Sequence, residues 1–122
     1  ASGRRARSTR GQLREQLLAL HEDGQRCVAY GAAGGMATTL LSFLDLPEGV
    51  LEYAVDLNPH KHGSWTPGQR LLIRPVETLV EDGPDVALLL AWNFADAILK
   101  AQRPWRDRGG RFLVPVPEPK LV

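Results

Sequence analysis

The stretch from residue 26 to residue 36 constrains the fold most, because a short apolar run there passes directly into a glycine-bearing turn. Residues 27–30 have the composition of a buried strand. The three glycines that follow can adopt unusual dihedral angles or let a ligand approach the backbone; they are Gly31, Gly34 and Gly35. Residues 36–44 then show helical spacing. This order predicts the first half of a βαβ unit, whose helix N-terminus is a natural site for an anion such as phosphate.

The rest of the chain continues this alternation of strands and helices. Apolar spacing predicts helices over 11–23, 35–44 and 94–101, and a further helix that begins at Pro75. Strands are predicted over 27–30, 50–55, 71–73, 85–91 and 111–116, followed by a proline-rich extended tail. We therefore expect an α/β, Rossmann-like fold: a parallel sheet of about five strands in the order 3-2-1-4-5, with helices on both faces.

Composition narrows the range of functions. The net charge of +1 gives no electrostatic reason to expect a nucleic-acid partner. Arginines crowd the start of the chain, and we interpret residues 1–9 as a mobile arm or a cloning remnant rather than a nucleic-acid-binding arm, with one domain over 10–122. Cys27 is the single cysteine, which excludes an internal disulfide and a multi-cysteine zinc site. With neither a spanning segment nor a signal peptide in the sequence, we expect a cytoplasmic protein without a membrane partner.

In parallel sheets of this kind, ligands bind outside the carboxyl ends of the strands, near the switch between the first and fourth strands. That rule brings residues 30–35, 56–61 and 91–93 to one rim. The candidate ligand-binding residues on it are Tyr30, Gly31, Ala32, Gly34, Asp56, Asn58, Lys61, Trp92 and Asn93.

Each candidate also has a purely structural interpretation. The glycine turn does not match the spacing of dinucleotide binders and is a weak signal alone. Asp56 can accept hydrogen bonds from a ribose or cap the turn that follows it. Lys61 can pair with a phosphate or remain solvated. Asn93 can offer its amide to a ligand or cap the next helix, and Tyr30 can belong to the core or face the rim.

The loop over 56–68 and the single thiol carry less specific signals. Trp65 can stack on a base, although packing the loop down is the commoner role. His60 and His62 would need further ligands to hold a metal, so no metal site is expected. Cys27 is interpreted as a small buried apolar residue. We recognise no nucleophile and base as a pair, and we predict no catalytic residue.

Five motifs occur in a consistent order along residues 13–117. They are Tyr-Gly-Ala-Ala from residue 30, Asp-Leu-Asn-Pro-His-Lys-His-Gly over 56–63, Thr-Pro-Gly over 66–68, Leu-Ala-Trp-Asn-Phe-Ala-Asp over 90–96, and Gly-Gly-Arg-Phe-Leu-Val-Pro over 109–115. Together they resemble the C-terminal domain of the sugar C-methyltransferases. Any one motif would be weak, but the combination is specific.

The resemblance implies a part in deoxysugar biosynthesis. Enzymes of this family transfer a methyl group from S-adenosylmethionine to a carbon of a nucleotide-linked (dTDP) keto-deoxysugar. A zinc-binding domain comes first, a methyltransferase domain with the donor and the catalytic base second, and the Rossmann-like domain last. The resemblance therefore implies a nucleotide-sugar-binding portion that is not catalytic alone, with a methyltransferase domain or subunit as partner, and with zinc and S-adenosylmethionine in the other domains.

Three positions depart from the family pattern. Gly35 and Ala37 stand where the family usually has a lysine and an asparagine, and Ala97 stands where an acidic residue is common. Loss of the lysine weakens the case for phosphate binding by the glycine turn, although backbone amides remain able to serve. These departures keep open an alternative function, a degenerate Rossmann interaction or docking domain without its own ligand.

Overall fold

The computed structural model describes residues 9–31, 35–66, 69–115 and 119–122. The helices are α1 (Thr9–Glu22), α2 (Gly35–Leu44), α3 (Thr78–Asp82), α4 (Ala95–Ala101) and α5 (Arg103–Asp107), with 3₁₀ turns at Pro59–Lys61 and Trp92–Phe94. The strands are β1 (Cys27–Tyr30), β2 (Leu51–Asp56), β3 (Ile73–Pro75), β4 (Val86–Leu89), β5 (Arg111–Val114) and β6 (Lys120–Leu121). Residues 1–8, most of the predicted arm, lie outside the described residues, as do Ala32 and Gly34.

The strands form one six-stranded sheet in the order β3-β2-β1-β4-β5-β6. The first five strands in this order pair in parallel, and β6 pairs antiparallel to β5. The predicted α/β class and the predicted order 3-2-1-4-5 are therefore confirmed, with one strand more than expected.

Both faces of the sheet are covered by helices. Alternate residues of β1 point to opposite faces, so Cys27 and Ala29 belong to one apolar cluster while Val28 and Tyr30 belong to the other. Helices α1 and α2 cover the first face, where Leu13 and Leu17 of α1, four residues apart, are fully buried. Because β1 is buried on both faces, its four-residue sequence is continuously apolar rather than alternating.

The third strand and the helix after it differ from the prediction. Pro75 was expected to open a helix, but it is the last residue of β3, and α3 begins only at Thr78. β3 lies at the edge of the sheet, where a missing backbone donor breaks no ladder between two neighbours. The edge position thus explains why a strand tolerates the proline.

Two elements near the end of the chain were not predicted. Pro104 lies in the first turn of α5, where its missing N–H costs little, and Trp105 of the same helix is buried and donates from Nε1 to the Pro84 carbonyl at 2.9 Å. The tail, expected to be merely extended, returns as β6. Among the described residues, no helix combines the length and the apolar character needed to cross a bilayer.

Candidate functional site

The carboxyl ends of β1, β2 and β4 lie level with one another. Tyr30, the last residue of β1, is in register with Val55 on one side and with Leu89 on the other. The Gly31 amide donates to the Val55 carbonyl at 2.9 Å, and the Leu90 amide donates to the Tyr30 carbonyl at 2.9 Å. The segments that follow these three strands are therefore fixed beside one another.

A cavity of about 690 Å³ opens at the carboxyl ends of these three strands. Its volume lies within the range of sites that hold small molecules and cofactors. The carboxyl ends of β1, β2 and β4 and the segments after them supply most of the lining, and α2 and α4 supply the rest. The lining residues are Tyr30, Gly31, Ala37, Asp56, Leu57, Asn58, Leu90, Ala91, Asn93, Phe94, Ala97, Ile98 and Ala101. The structure thus brings together residues from all three predicted rim segments.

Gly31 forms the part of the cavity floor where β1 ends. Its φ of +84° lies in the region that favours glycine. A Cβ at this position would come within 2.7 Å of the Ala91 Cβ, far inside normal contact. Gly31 is therefore needed both for its backbone conformation and for the close approach between the segments after β1 and β4.

Asp56 is buried at the end of β2 and organises the loop that follows. The Asp56 Oδ1 accepts a hydrogen bond from the backbone N–H of Asn58 at 2.9 Å. The Asn58 side-chain Oδ1 in turn accepts from the backbone N–H of His60 at 3.0 Å. The Nε2 atom of His62 hydrogen-bonds the Asp56 carbonyl at 2.7 Å. Turn capping by Asp56 is therefore confirmed, and the carboxylate also lines the cavity.

Tyr30 belongs mainly to the core. Its side chain is buried, its hydroxyl accepts a hydrogen bond from Gln102 Nε2 at 3.2 Å, and its ring meets Phe112 edge-to-face at 5.5 Å. Burial raises the pKa of the Tyr30 hydroxyl above its ordinary value, so the hydroxyl stays neutral. Tyr30 therefore contributes an uncharged side chain to the cavity lining.

The remaining candidates differ in whether they line this cavity. Asn93 lines it, but the N-cap position of α4 is Phe94, which makes no side-chain capping bond. The helix-cap interpretation of Asn93 is therefore wrong. Trp92 lines a smaller cavity of about 360 Å³ along the start of α4. Lys61 is exposed in the 3₁₀ turn, outside the lining of both cavities.

Sequence reasoning missed two exposed apolar side chains in the lining. Leu57 is 70% exposed and Phe94 is 62% exposed, although both contribute to the cavity. Phe94 falls on the helical spacing predicted over 94–101, which does not distinguish a core residue from a lining residue. The interpretation that Trp65 packs its loop down is likewise wrong, because its side chain is 61% exposed. Leu57 comes directly after β2 and Phe94 comes shortly after β4, and this position beyond a strand end was the signal available in the sequence.

Comparison with known proteins identifies the family. The model of the C-methyltransferase C-terminal domain matches residues 2–117. The chain belongs to this family. It is 34% identical over 113 residues to the C-methyltransferase NovU of Streptomyces niveus, an alignment that covers 93% of this chain and 27% of that protein. The chain thus spans about a quarter of the length of this relative.

A solved structure supports the fold. The UDP-D-quinovosamine 4-dehydrogenase of Vibrio fischeri superposes with a TM-score of 0.55 at 16% identity, covering 80% of this chain and 93% of that one. At this identity the likeness shows the fold alone. It agrees with the Rossmann-like sheet of this C-methyltransferase C-terminal domain.

The departures from the family pattern coincide with the cavity. Ala37 and Ala97, two of the three positions concerned, both belong to its lining. Small apolar side chains thus replace the asparagine and the acidic residue that the family resemblance leads one to expect. In this C-methyltransferase C-terminal domain the lining is therefore apolar at both positions, on the sides formed by α2 and α4.

The electrostatics of the cavity are simple. Among the described lining residues, Asp56 carries the only charged side chain, and the polar remainder is neutral. Nowhere in the described ranges do three His, Cys, Asp or Glu side chains gather as a metal site requires. The zinc expected for other domains of the family therefore has no ligand set in the part of this domain that the structure describes.

Cys27 is not a reactive group. It is buried in β1, and burial raises the pKa of its thiol to about 11. The interpretation of Cys27 as a small apolar core residue is confirmed by its place in the apolar cluster beside α1 and α2.

Proposed function

We propose that this domain holds the nucleotide-sugar substrate, a dTDP-linked keto-deoxysugar, of an S-adenosylmethionine-dependent C-methyltransferase. Family membership and the likeness to a protein named as a C-methyltransferase support this assignment. The methyl donor, the zinc and the catalytic base belong to other domains, so the chain is not catalytic alone. A domain over residues 10–122, an arm over 1–9 and a cytoplasmic location are parts of the same proposal.

The cavity at the carboxyl ends of β1, β2 and β4 is the observation that carries the proposal. It has the volume of a small-molecule site and lies where parallel α/β sheets bind their ligands. Asp56 offers a carboxylate acceptor for a hydroxyl, and Asn93 offers an amide that donates and accepts. Both groups recognise and orient a polar ligand, which suits a holding role.

Calorimetric titration of the chain with dTDP tests the proposal. We expect saturable binding to one site, and we expect Asn93→Ala to weaken it without changing the melting temperature. Gln25→Ala is the matched control, since Gln25 carries the same amide group but precedes β1, at the end of that strand opposite to the cavity. Lack of dTDP and dTDP-sugar binding, both by this chain and by a chain extended to include the other two domains, would contradict the proposal.

A docking domain without its own ligand is the second candidate function. Its specific support is a set of large exposed apolar side chains, which consists of Phe43, Leu57, Trp65 and Phe94. The partner would be a methyltransferase domain or subunit. Size-exclusion mass measurement and co-purification separate the candidates: a monomer that binds dTDP and captures no methyltransferase domain would contradict docking as the main role.

A further inference from the structure

We propose that His62 is a positioning residue of the ligand site: its imidazole holds the segment after β2 in the shape that places Leu57 and Asn58 in the cavity lining. The inference rests on the proposed function and adds to it a residue that lies outside the lining itself. Three observations carry it. They are the hydrogen bond from His62 to the end of β2, the exposure of the two lining side chains, and the bond that already occupies the Asn58 side-chain oxygen.

The His62 side chain closes the turn over residues 56–62. Its Nε2 atom lies 2.7 Å from the Asp56 carbonyl oxygen. Because a carbonyl oxygen only accepts, Nε2 carries a proton and donates it, which selects the Nε2–H tautomer of the neutral ring. β3 ends at Pro75, the residue in register with Asp56, so the bond serves a carbonyl at the point where this strand pairing stops. It restrains the peptide plane that joins Asp56 to Leu57.

Backbone hydrogen bonds hold the other end of the turn. The Gly63 amide donates to the Ile73 carbonyl at 2.9 Å, and the Ile73 amide donates to the Ser64 carbonyl at 2.9 Å. The chain directly after His62 is therefore tied to β3. The imidazole extends from this fixed backbone back to Asp56, and so it restrains the residues between the two.

Leu57 and Asn58 depend on the backbone for their positions. Leu57 is 70% exposed and Asn58 is also exposed, yet both line the cavity. Since the core does not enclose these side chains, their directions follow from the peptide groups that carry them. The His62 bond restrains those peptide groups before a ligand arrives, and a site that is ordered in advance binds without the cost of ordering it.

The Asn58 amide gives the restrained turn a defined polarity. Its Oδ1 accepts from the backbone N–H of His60 at 3.0 Å, so the oxygen is already used within the turn. Among the residues that the structure describes, none accepts a hydrogen bond from the Asn58 Nδ2 group. The turn therefore offers a ligand an N–H donor rather than an acceptor, at a position that His62 restrains.

Calorimetric titration with dTDP tests the role of His62. His62→Leu removes the donor, and we expect its dTDP affinity to fall by about fivefold to tenfold, the factor that corresponds to one hydrogen bond. His62→Gln returns an N–H donor on a side chain of similar reach and should recover most of the affinity. His60→Leu is the matched control, because His60 is an exposed imidazole of the same turn whose ring bonds to no described residue. The control should bind dTDP like the unchanged chain.

NMR and melting curves separate positioning from stability. In the unchanged chain at high pH, we expect the His62 ring to carry its proton on Nε2. In ligand-free His62→Leu, the backbone amide resonances of Leu57 and Asn58 should shift, while those of Leu88 in the buried strand β4 should not. Melting curves set the titration temperature well below the transition of every variant, so that a lower affinity does not reflect unfolded protein.

The outcomes distinguish this inference from the proposed function. If the unchanged chain binds dTDP and His62→Leu binds it equally well, or if His60→Leu loses as much affinity as His62→Leu, the positioning role is wrong and substrate holding stands. A His62→Gln variant as weak as His62→Leu would likewise overturn the role of the donor. If dTDP and dTDP-sugars bind neither this chain nor the extended one, the proposed function fails and this inference fails with it.

Discussion

Gly31 links the backbone of β1 to the geometry of the cavity. Its amide is tied to β2, its φ is positive, and its missing side chain leaves room for Ala91. The two requirements are independent, because a positive φ penalises any L side chain while a close approach penalises added volume. They can therefore be measured separately.

We predict that Gly31→Ala destabilises the fold more than Gly24→Ala. Gly24 has nearly the same φ, +82° against +84°, but nothing lies within 4 Å of a Cβ built there. Conformation alone should cost each variant about 1 to 2 kcal/mol, and crowding against Ala91 should add about 1 to 3 kcal/mol at Gly31. Urea denaturation of both variants measures the difference. Equal losses in the two variants would show that the Ala91 contact relaxes without cost.

The importance of Gly31 can be predicted from the sequence, whereas the place of Phe94 in the cavity lining cannot. A glycine directly after a buried strand indicates a turn with positive φ or a close approach of the backbone, and Gly31 has both. An aromatic residue at helical spacing is compatible with the core and with the surface, since periodicity does not reveal what the opposite side packs against. Trp65 shows the same limit, because its exposure depends on tertiary structure rather than on its neighbours in sequence.

At the scale of elements, a charged cluster joins β1, β2 and α3 at the amino ends of the strands, opposite to the cavity. The Arg26 guanidinium contacts Glu52 at 2.8 Å and Asp82 at 2.6 Å, and its backbone amide donates to Asp85 at 2.7 Å. The Tyr53 hydroxyl donates to Asp82 at 2.8 Å. The Arg26 and Tyr53 hydrogen bonds hold the pKa of Asp82 below its ordinary value. The cluster therefore fixes α3 to the starts of two strands.

We predict that Asp82→Asn removes an acid-sensitive part of the stability. Because the pKa of Asp82 is lowered by folding, its stabilising contribution is complete above the unfolded pKa and is lost as the pH falls through the folded pKa. The loss from Asp82→Asn should therefore be present near neutral pH and shrink below about pH 4. Partial exposure limits it to less than about 1 kcal/mol.

Melting temperatures measured across this pH range check the Asp82 prediction. Glu81→Gln is the control, since Glu81 is an exposed carboxylate on the same helix. The control should leave the pH profile close to that of the unchanged chain. A constant difference between Asp82→Asn and the unchanged chain at all pH values would show that the carboxylate charge is not what stabilises the cluster.

Elements with a strong apolar pattern were predictable, and those determined by tertiary contacts were not. Leu13 and Leu17 predict α1 because their spacing matches a helix with one buried face. Trp105 does not predict α5, because its anchor is the distant Pro84 carbonyl. The cavity position followed from a rule about strand order, but its apolar lining from α4 depended on how that helix lies against the sheet.

At the scale of the whole molecule, both edges of the sheet are protected. β3 ends in Pro75, which cannot donate to an added strand, and the outer side of β3 pairs with the loop over 63–66, where the Ile73 amide donates to the Ser64 carbonyl at 2.9 Å. β5 is covered by β6, with Leu113 in register with Leu121 and reciprocal bonds between the Phe112 and Val122 backbones at 2.9 and 3.2 Å. Prolines at positions 115, 117 and 119 predicted an end to regular structure, but two residues that pair with β5 suffice to close its edge.

We predict that a chain ending at residue 118 is less stable and self-associates. Without β6, the backbone groups of β5 face solvent and form a template for a strand of another copy, because unpaired edges promote such pairing. Size-exclusion chromatography with light scattering measures the mass, and we expect it to rise with concentration. The double variant Leu121→Ala and Val122→Ala is the control, since it removes apolar area but keeps the backbone pairing. Association of the control to the same extent would assign the effect to lost apolar burial instead of the open edge.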